Sequence, residues 1–289
     1  MKIGDYVVRK SYGKDIKFKI IDIKEVGDEV YYVLKGISIR IIADSLKSDL
    51  EEVKDEFEGG TDKLLNARIH EAIKKAIGDR GGNNKRATQT KSPKIVKDKE
   101  LVFGRPGKIL HIDGDATYLD NCLKVYKELQ LSAVGYAIPE KEQPKKVLEI
   151  VKEVKPDIVV LTGHDGISRN VKDYLDVNNY RNSKYFIESV RLLRDYNSSY
   201  DELVIFAGAC QSCYENILDA GANFASSPNR VLIHCLDPVF ICEKIAYTKI
   251  DTVVSITEVI ENTITGIKGI GGLQTRGKYR EGYPKSPYV

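Results

Sequence analysis

No stretch of this sequence approaches the roughly 18–20 consecutive apolar residues that a helix needs to cross a bilayer. The first residues, Met1-Lys-Ile-Gly-Asp5, lack the apolar core of a signal peptide, so synthesis and folding in a cytoplasm are expected. Cysteine is scarce. Cys122, Cys210, Cys213, Cys235 and Cys242 are odd in number and scattered, which excludes a disulfide-built fold. Charge of one sign is also lacking, and a net +3 is too small to argue nucleic-acid binding for the whole chain. What is present is an ordinary globular composition, 42% apolar and 30% charged over 289 residues. That length allows one or two domains with a substantial core.

Residues 1–48 alternate β-branched and aromatic residues with glycine punctuation. Tyr6-Val-Val, Lys17 to Ile23, Val30 to Lys35 and Ile37-Ser-Ile-Arg-Ile-Ile42 read as four short strands. A small antiparallel, SH3-like barrel is expected there. Residues 49–104 are expected to hold an acidic stretch, an amphipathic helix and a linker. The helix is capped by Thr61, carries Leu65, Ile69, Ala72, Ile73 and Ala76 on one face, and ends at Gly78. From Arg80 to Lys99 seven basic residues stand against one acid among Gly, Asn, Thr, Ser and Pro, the composition of a flexible linker.

From Lys108 strands and helices alternate. Strands are expected at 108–113, 132–138, 157–162, 203–207, around Asn223 to Ser227, at 230–235 and at 251–256. Helices fall near 117–130, 144–155, 182–195, 211–220 and 238–247. The pattern implies a flavodoxin-like α/β domain over 105–265, a mainly parallel sheet with helices on both faces. The glycine-rich basic tail, 266–289, reads as loop. Gly269-Ile-Gly271-Gly272 is not a phosphate loop, because no helical pattern follows it.

Two of the buried strands end in glycine-bearing turns that each carry one reactive side chain. The first is Asp157-Ile-Val-Val-Leu-Thr-Gly-His164-Asp-Gly166. The second is Leu203-Val-Ile-Phe-Ala-Gly-Ala-Cys210-Gln-Ser212. Residues just past the carboxyl ends of parallel strands line the ligand crevice, so neighbouring strands bring His164 and Cys210 together. Cys210 is the candidate nucleophile and His164 the proton shuttle. A helix starting at Gln211 favours the thiolate through its positive end. Backbone amides of Asp165, Gly166 and Cys210 are candidates for an oxyanion hole, the device that acyl transfer needs most. His234, Cys122, Cys235 and Cys242 fall in strand or helix interiors and read as core, and Cys213 reads as packing beside Cys210, one helical turn on. His70, among charged neighbours, reads as exposed.

Four rivals fit less well. Cys210-Gln-Ser-Cys213 has redox C-x-x-C spacing but lies late in the α/β region. A zinc site needs two more ligands, and only the adjacent His234 and Cys235 are on offer. A phospho-receiver needs an aspartate where this chain has Thr162 and His164, and a cobalamin module needs an Asp-x-His-x-x-Gly run.

The strand ending in His164-Asp-Gly166 and the later strand ending in Ala209-Cys210 resemble the caspase-like cysteine peptidases. These carry His-Gly and then Ala-Cys, in that order. More narrowly, the chain resembles the sporulation-specific peptidases of endospore-forming bacteria. The resemblance covers Ile3-Gly-Asp-Tyr-Val-Val-Arg9, Gly107 to Asp115, Leu161 to Gly166, Phe206 to Ser212 and Asn223 to Pro228. It implies a caspase-like cysteine endopeptidase that cleaves after arginine, processes spore-coat and related proteins, cuts itself, and works in the mother-cell cytoplasm at the forming coat. It implies no cofactor and no metal. Partners are protein substrates, with neither membrane nor nucleic acid expected. Exposed Arg80, Arg86 and Arg276 are candidate self-processing positions. A pocket for arginine needs a carboxylate. Segments downstream of the cysteine favour Asp237 or Glu258, with Ser226 or Ser227 on the wall, and Asp113 and Asp115 are further candidates. Asp237-Pro238 also reads as a helix start.

Overall fold

The computed structural model describes residues 1–86, 102–286 and 288, so most of the expected linker lies outside the described residues. The amino-terminal region is a five-stranded antiparallel sheet in the order β4-β3-β2-β1-β5. Its strands are β1 (Tyr6–Arg9), β2 (Lys17–Val26), β3 (Glu29–Gly36), β4 (Ile42–Leu46) and β5 (Leu50–Glu52). Val7, Phe18, Ile20, Leu34 and Leu50 form its small core. Two expectations change here. Residues 37–41 are loop rather than the fourth strand, which starts only at Ile42, and the acidic stretch supplies a fifth strand.

Helix α1 (Gly60–Arg86) runs past Gly78 into the sequence expected as linker. Arg80 explains the extension. Its guanidinium bonds the Glu243 carboxylate at 2.8 Å and the Leu129 carbonyl at 2.9 Å, tying the helix to the α/β region. Ile73 is buried in the larger core, with Leu65, Ile69, Ala72 and Ala76 packed against it. The apolar stripe therefore faces the α/β layers.

The main sheet has six strands in the order β12-β11-β10-β9-β7-β8. β7 (Ile109–Asp113), β8 (Ala133–Ala137), β9 (Ile158–Thr162), β10 (Val204–Ala207) and β11 (Phe224–Ser226) are parallel, and β12 (Ile270–Gly272) runs antiparallel. Alternation along each strand serves two cores. Leu110, Ile112, Val159, Leu161, Ile205 and Ala207 face α3 (Gln143–Val154), α4 (Ser183–Tyr196) and α5 (Tyr214–Asp219). Ile109, Ile158, Val160, Val204 and Phe206 face α1, α2 (Ala116–Glu128) and α6 (Asp237–Tyr247). This is the doubly wound arrangement expected, with a switch point between β7 and β9 that opens a crevice at their carboxyl ends.

Three local expectations fail. Residues 230–235 form no strand; the segment makes a single antiparallel bridge, His234 to Ile39. Residues 251–256 form a turn and a one-residue bridge at Val253, followed by α7 (Ile256–Glu261), whose amide at Glu258 is capped by the Ser255 hydroxyl. The tail contributes two strands among its described residues. β12 completes the sheet edge with Ile270 fully buried, and β13 (Arg280–Gly282) pairs with β6 (Phe103–Arg105). Glycine-rich strands carry little side-chain alternation, which is why this one has no period-2 signal. Among the described residues no helix is long and apolar enough to cross a membrane.

Candidate active site

The strand ends at the switch point deliver four residues to one region: Asp113 from β7, Thr162 and His164 from β9, and Cys210 from the turn after β10. His164 and Cys210 line the same cavity of about 780 Å³, with Arg40, Asp165, Gly166, Tyr180 and Gln211 among the other walls.

The Cys210 turn is built by backbone geometry. Gly208 has φ +109°, and a Cβ there would stand 2.5 Å from the Ser226 hydroxyl, so only glycine fits. Ser226 donates to the Ala209 carbonyl at 2.8 Å, and Ser227 accepts from the Gln211 amide at 2.9 Å. These two serines brace the cysteine turn from behind; neither lines the cavity. Helix α5 begins at Tyr214 with Cys213 at its cap, so Cys210 is not at a helix amino terminus. Burial instead pushes the Cys210 thiol up to about 11, against the Ile233 amide and the Arg40 charge, which both act to lower it. Cys210 is 2% exposed. Its Sγ donates to the Arg40 carbonyl at 3.1 Å and accepts from the Ile233 amide at 3.2 Å.

His164 is anchored at both ends. Its amide donates to Glu140 Oε1 at 2.6 Å, and its Nε2 meets Asp115 Oδ2 at 2.9 Å. The Glu140 carboxylate fits because Gly114 and Gly163 leave it room, since a Cβ at either position would lie 2.2 Å from Oε1. Asp115 also caps α2 through the Thr117 and Tyr118 amides and receives Lys35 Nζ at 2.6 Å. Burial works to raise the Asp115 carboxyl, but the bonds from His164 and Lys35 outweigh it and hold the group well below the usual carboxylate range. A side chain expected to bind substrate is thus in hydrogen-bond contact with the histidine.

Asp165 is held by four donors. Oδ1 accepts from the amides of Gly166 and Asn182 at 2.9 and 2.7 Å. Oδ2 accepts from the Ser183 hydroxyl and from the Ser212 hydroxyl at 2.9 Å. Burial still raises its carboxyl. The Gly166 amide is therefore already committed. The Asp165 and Cys210 amides have no acceptor among the described residues.

The expected arginine-pocket residues separate clearly. Asp237 is fully buried, and its carboxylate takes the amides of His234, Ile264 and Thr265 and the Thr265 hydroxyl, so it organises a loop. Glu258 pairs with Lys244 near the surface at 2.8 Å. Neither lines the cavity, and Asp113 reaches it only through Arg40, which does. Asp113 is the one that holds an arginine. Its two carboxylate oxygens receive both terminal nitrogens of Arg40, one at 3.0 Å, and the pair is buried, with side chains 1% and 0% exposed. Burial alone would raise Asp113; the Arg40 charge reverses this and keeps the carboxyl far below its ordinary value. The Gly163 carbonyl and the Tyr118 ring face complete the guanidinium's surroundings, at 3.3 and 4.8 Å.

Arg40, Glu140 and Lys35 are the contributors that sequence pattern missed. Each reaches the site from an element with no motif of its own. His234, read as core, is 3% exposed, and burial, with the Arg40 charge, lowers it to about 4. The candidate cut positions Arg80 and Arg276 are held in structure. Arg80 is in α1, and the Arg276 amide donates to Asp201 at 3.0 Å within a bridge to Val253.

Comparison with known proteins adds the family. The chain matches the family described as YabG peptidase U57 over residues 2–284. It is 41% identical over 289 residues to the sporulation-specific protease YabG of Bacillus subtilis (strain 168), a match covering 98% of this chain and 98% of that protein.

Proposed function

The chain belongs to the YabG peptidase family, and from that premise we propose that it is a cysteine endopeptidase with Cys210 as nucleophile and His164 as proton shuttle. The observation that carries this is the cavity that His164 and Cys210 line together, with Asp115 on the His164 Nε2. Asp115 at Nε2 leaves Nδ1 of His164 to take the thiol proton. The thiolate adds to the scissile carbonyl, whose oxygen is received by the Asp165 and Cys210 amides. Two such preorganised donors each contribute on the order of 10²–10³ in rate. His164 then protonates the leaving amine, and water hydrolyses the thioester.

Cleavage after arginine is part of the same proposal. Asp113 is its pocket carboxylate, supported by the two-pronged, fully buried grip on Arg40. The relative's description as sporulation-specific supports action during sporulation. Spore-coat and related proteins are the proposed substrates, in the mother cell at the forming coat, together with the chain itself. The test is hydrolysis of an arginyl peptide by the full chain beside Cys210→Ala and His164→Ala. Loss of activity in both variants supports the assignment; equal activity in all three removes it.

A further inference from the structure

The most informative contact in the molecule joins its two regions. Residues 37–41 leave the amino-terminal sheet and enter the cavity in the manner of a bound peptide. Ser38 and Ile39 lie antiparallel to His234 and Cys235, with the Cys235 amide donating to the Ser38 carbonyl at 3.4 Å and a bridge between Ile39 and His234. An extended peptide adding to an unpaired segment is a recurrent recognition mode, and the failed strand 230–235 offers that segment. The next residue, Arg40, puts its guanidinium on Asp113 and its carbonyl oxygen 3.1 Å from Cys210 Sγ. Ile41 and Ile42 continue along the cavity wall beside His164 and Gly166. The Tyr118 hydroxyl clamps the loop at the carbonyls of Gly36 and Ile39, at 2.7 and 3.0 Å.

We propose that Arg40–Ile41 is the peptidase's own first scissile bond, cut in cis, and that until it is cut the loop keeps the arginine pocket closed to other substrates. This rests on the cysteine-peptidase reading above. In the resting state the Ile41 amide donates to the Ile39 carbonyl at 2.8 Å, which makes a tight turn at Arg40. The thiol meets the carbonyl oxygen, not the carbon. Latency follows from that geometry: the turn must open before the sulfur reaches the carbonyl carbon. The thiol proton then passes to His164, and the Sγ–C bond forms. The Arg40–Ile41 C–N bond breaks as His164 returns the proton to the Ile41 nitrogen. Water adds to the thioester carbon and the C–S bond breaks, leaving a carboxylate on Arg40 and the thiol on Cys210. β3 and β4 pair from Tyr31 to Lys35 with Ile42 to Leu46, so the two pieces stay associated after the cut.

The test is intact-mass analysis under denaturing conditions of the full chain, beside Cys210→Ala, across a 100-fold range of concentration. The expected result is a fragment ending at Arg40 and a new amino terminus at Ile41, formed at a concentration-independent rate and absent from Cys210→Ala. Arg40→Ala is expected to lack that fragment and to hydrolyse an arginyl peptide without the lag of the wild type. Arg40→Lys keeps a cation beside Asp113 where Arg40→Ala fails to fold, and slows the cut at least tenfold. Wild-type enzyme that hydrolyses the arginyl peptide while remaining intact at Arg40 overturns this inference and leaves the peptidase reading standing. So does a cut whose rate rises with protein concentration. Wild type that cleaves neither itself nor the peptide removes both.

Discussion

Asp113 and Asp115 stand two residues apart at the end of β7, and the fold gives them different work. Asp113 is completely buried and holds a guanidinium; Asp115 is partly buried and is shared among His164, Lys35 and the first turn of α2. Both are held anionic by cations, so charge does not separate them. Depth does. A group sealed from water must have its partner's full charge and geometry, whereas a group partly open to water can exchange one donor for solvent. The difference teaches that one βα turn can supply both a carboxylate that grips a buried guanidinium and a carboxylate that contacts a histidine.

Breaking the deeper pair has the largest expected effect. Asp113→Asn strands the buried Arg40 cation, and loss of one partner of a buried pair costs about 3–5 kcal/mol. Urea unfolding measures this, and the same variant is expected to cut arginyl peptides at least 100-fold less efficiently than wild type. A variant as stable as wild type contradicts the burial argument.

Acid probes the same side of the site. His234 is kept neutral by burial beside Arg40, and its value falls from 6.5 to about 4 on folding. A lowered histidine contributes stability that is complete above the unfolded value and is lost as pH falls toward the folded one. Between pH 6.5 and about 4 the loss from His234 is therefore about 3 kcal/mol. His111, also buried and lowered, acts in the same direction. Unfolding free energy should drop through that window, and His234→Gln should flatten the drop.

On the shallower side, Asp115→Asn keeps the shape and removes the orienting charge. An expected fall of about 10²-fold in kcat with KM little changed identifies a positioning role. A rise in KM at constant kcat instead makes Asp115 a substrate-binding residue. Lys35→Met should have the smallest effect, under about 1 kcal/mol in stability, since Asp115 keeps its amide and histidine partners.

The meeting of His164 and Cys210 in one cavity was legible because both follow strands whose unbroken apolar runs declare a parallel sheet, and strand-end turns are where such sheets bind. Helices α2, α3 and α4 followed from periodicity for the same reason. The misreadings are physical as well. Ile37 to Ile42 alternates like a strand, but the chain turns at Arg40, and Ile39 bridges to His234 in the other region rather than to a neighbour in its own sheet. A strand and a bound peptide share one side-chain pattern, so periodicity cannot tell them apart. Asp237 and Glu258 were favoured for the arginine pocket by position along the chain. Their carboxylates are taken by Thr265 and Lys244, partners that no local pattern reveals.

The sequence by itself determined the doubly wound α/β layers, the two reactive strand ends and their order, because these depend on hydrophobic period and turn chemistry over a few residues. Only the tertiary structure decided which carboxylate holds an arginine, which one steadies His164, and that a loop of the amino-terminal sheet rests on Cys210. Those outcomes join residues 73, 49 and 170 positions apart. Contacts at such separations are selected by how whole elements pack, and packing leaves no trace in local periodicity.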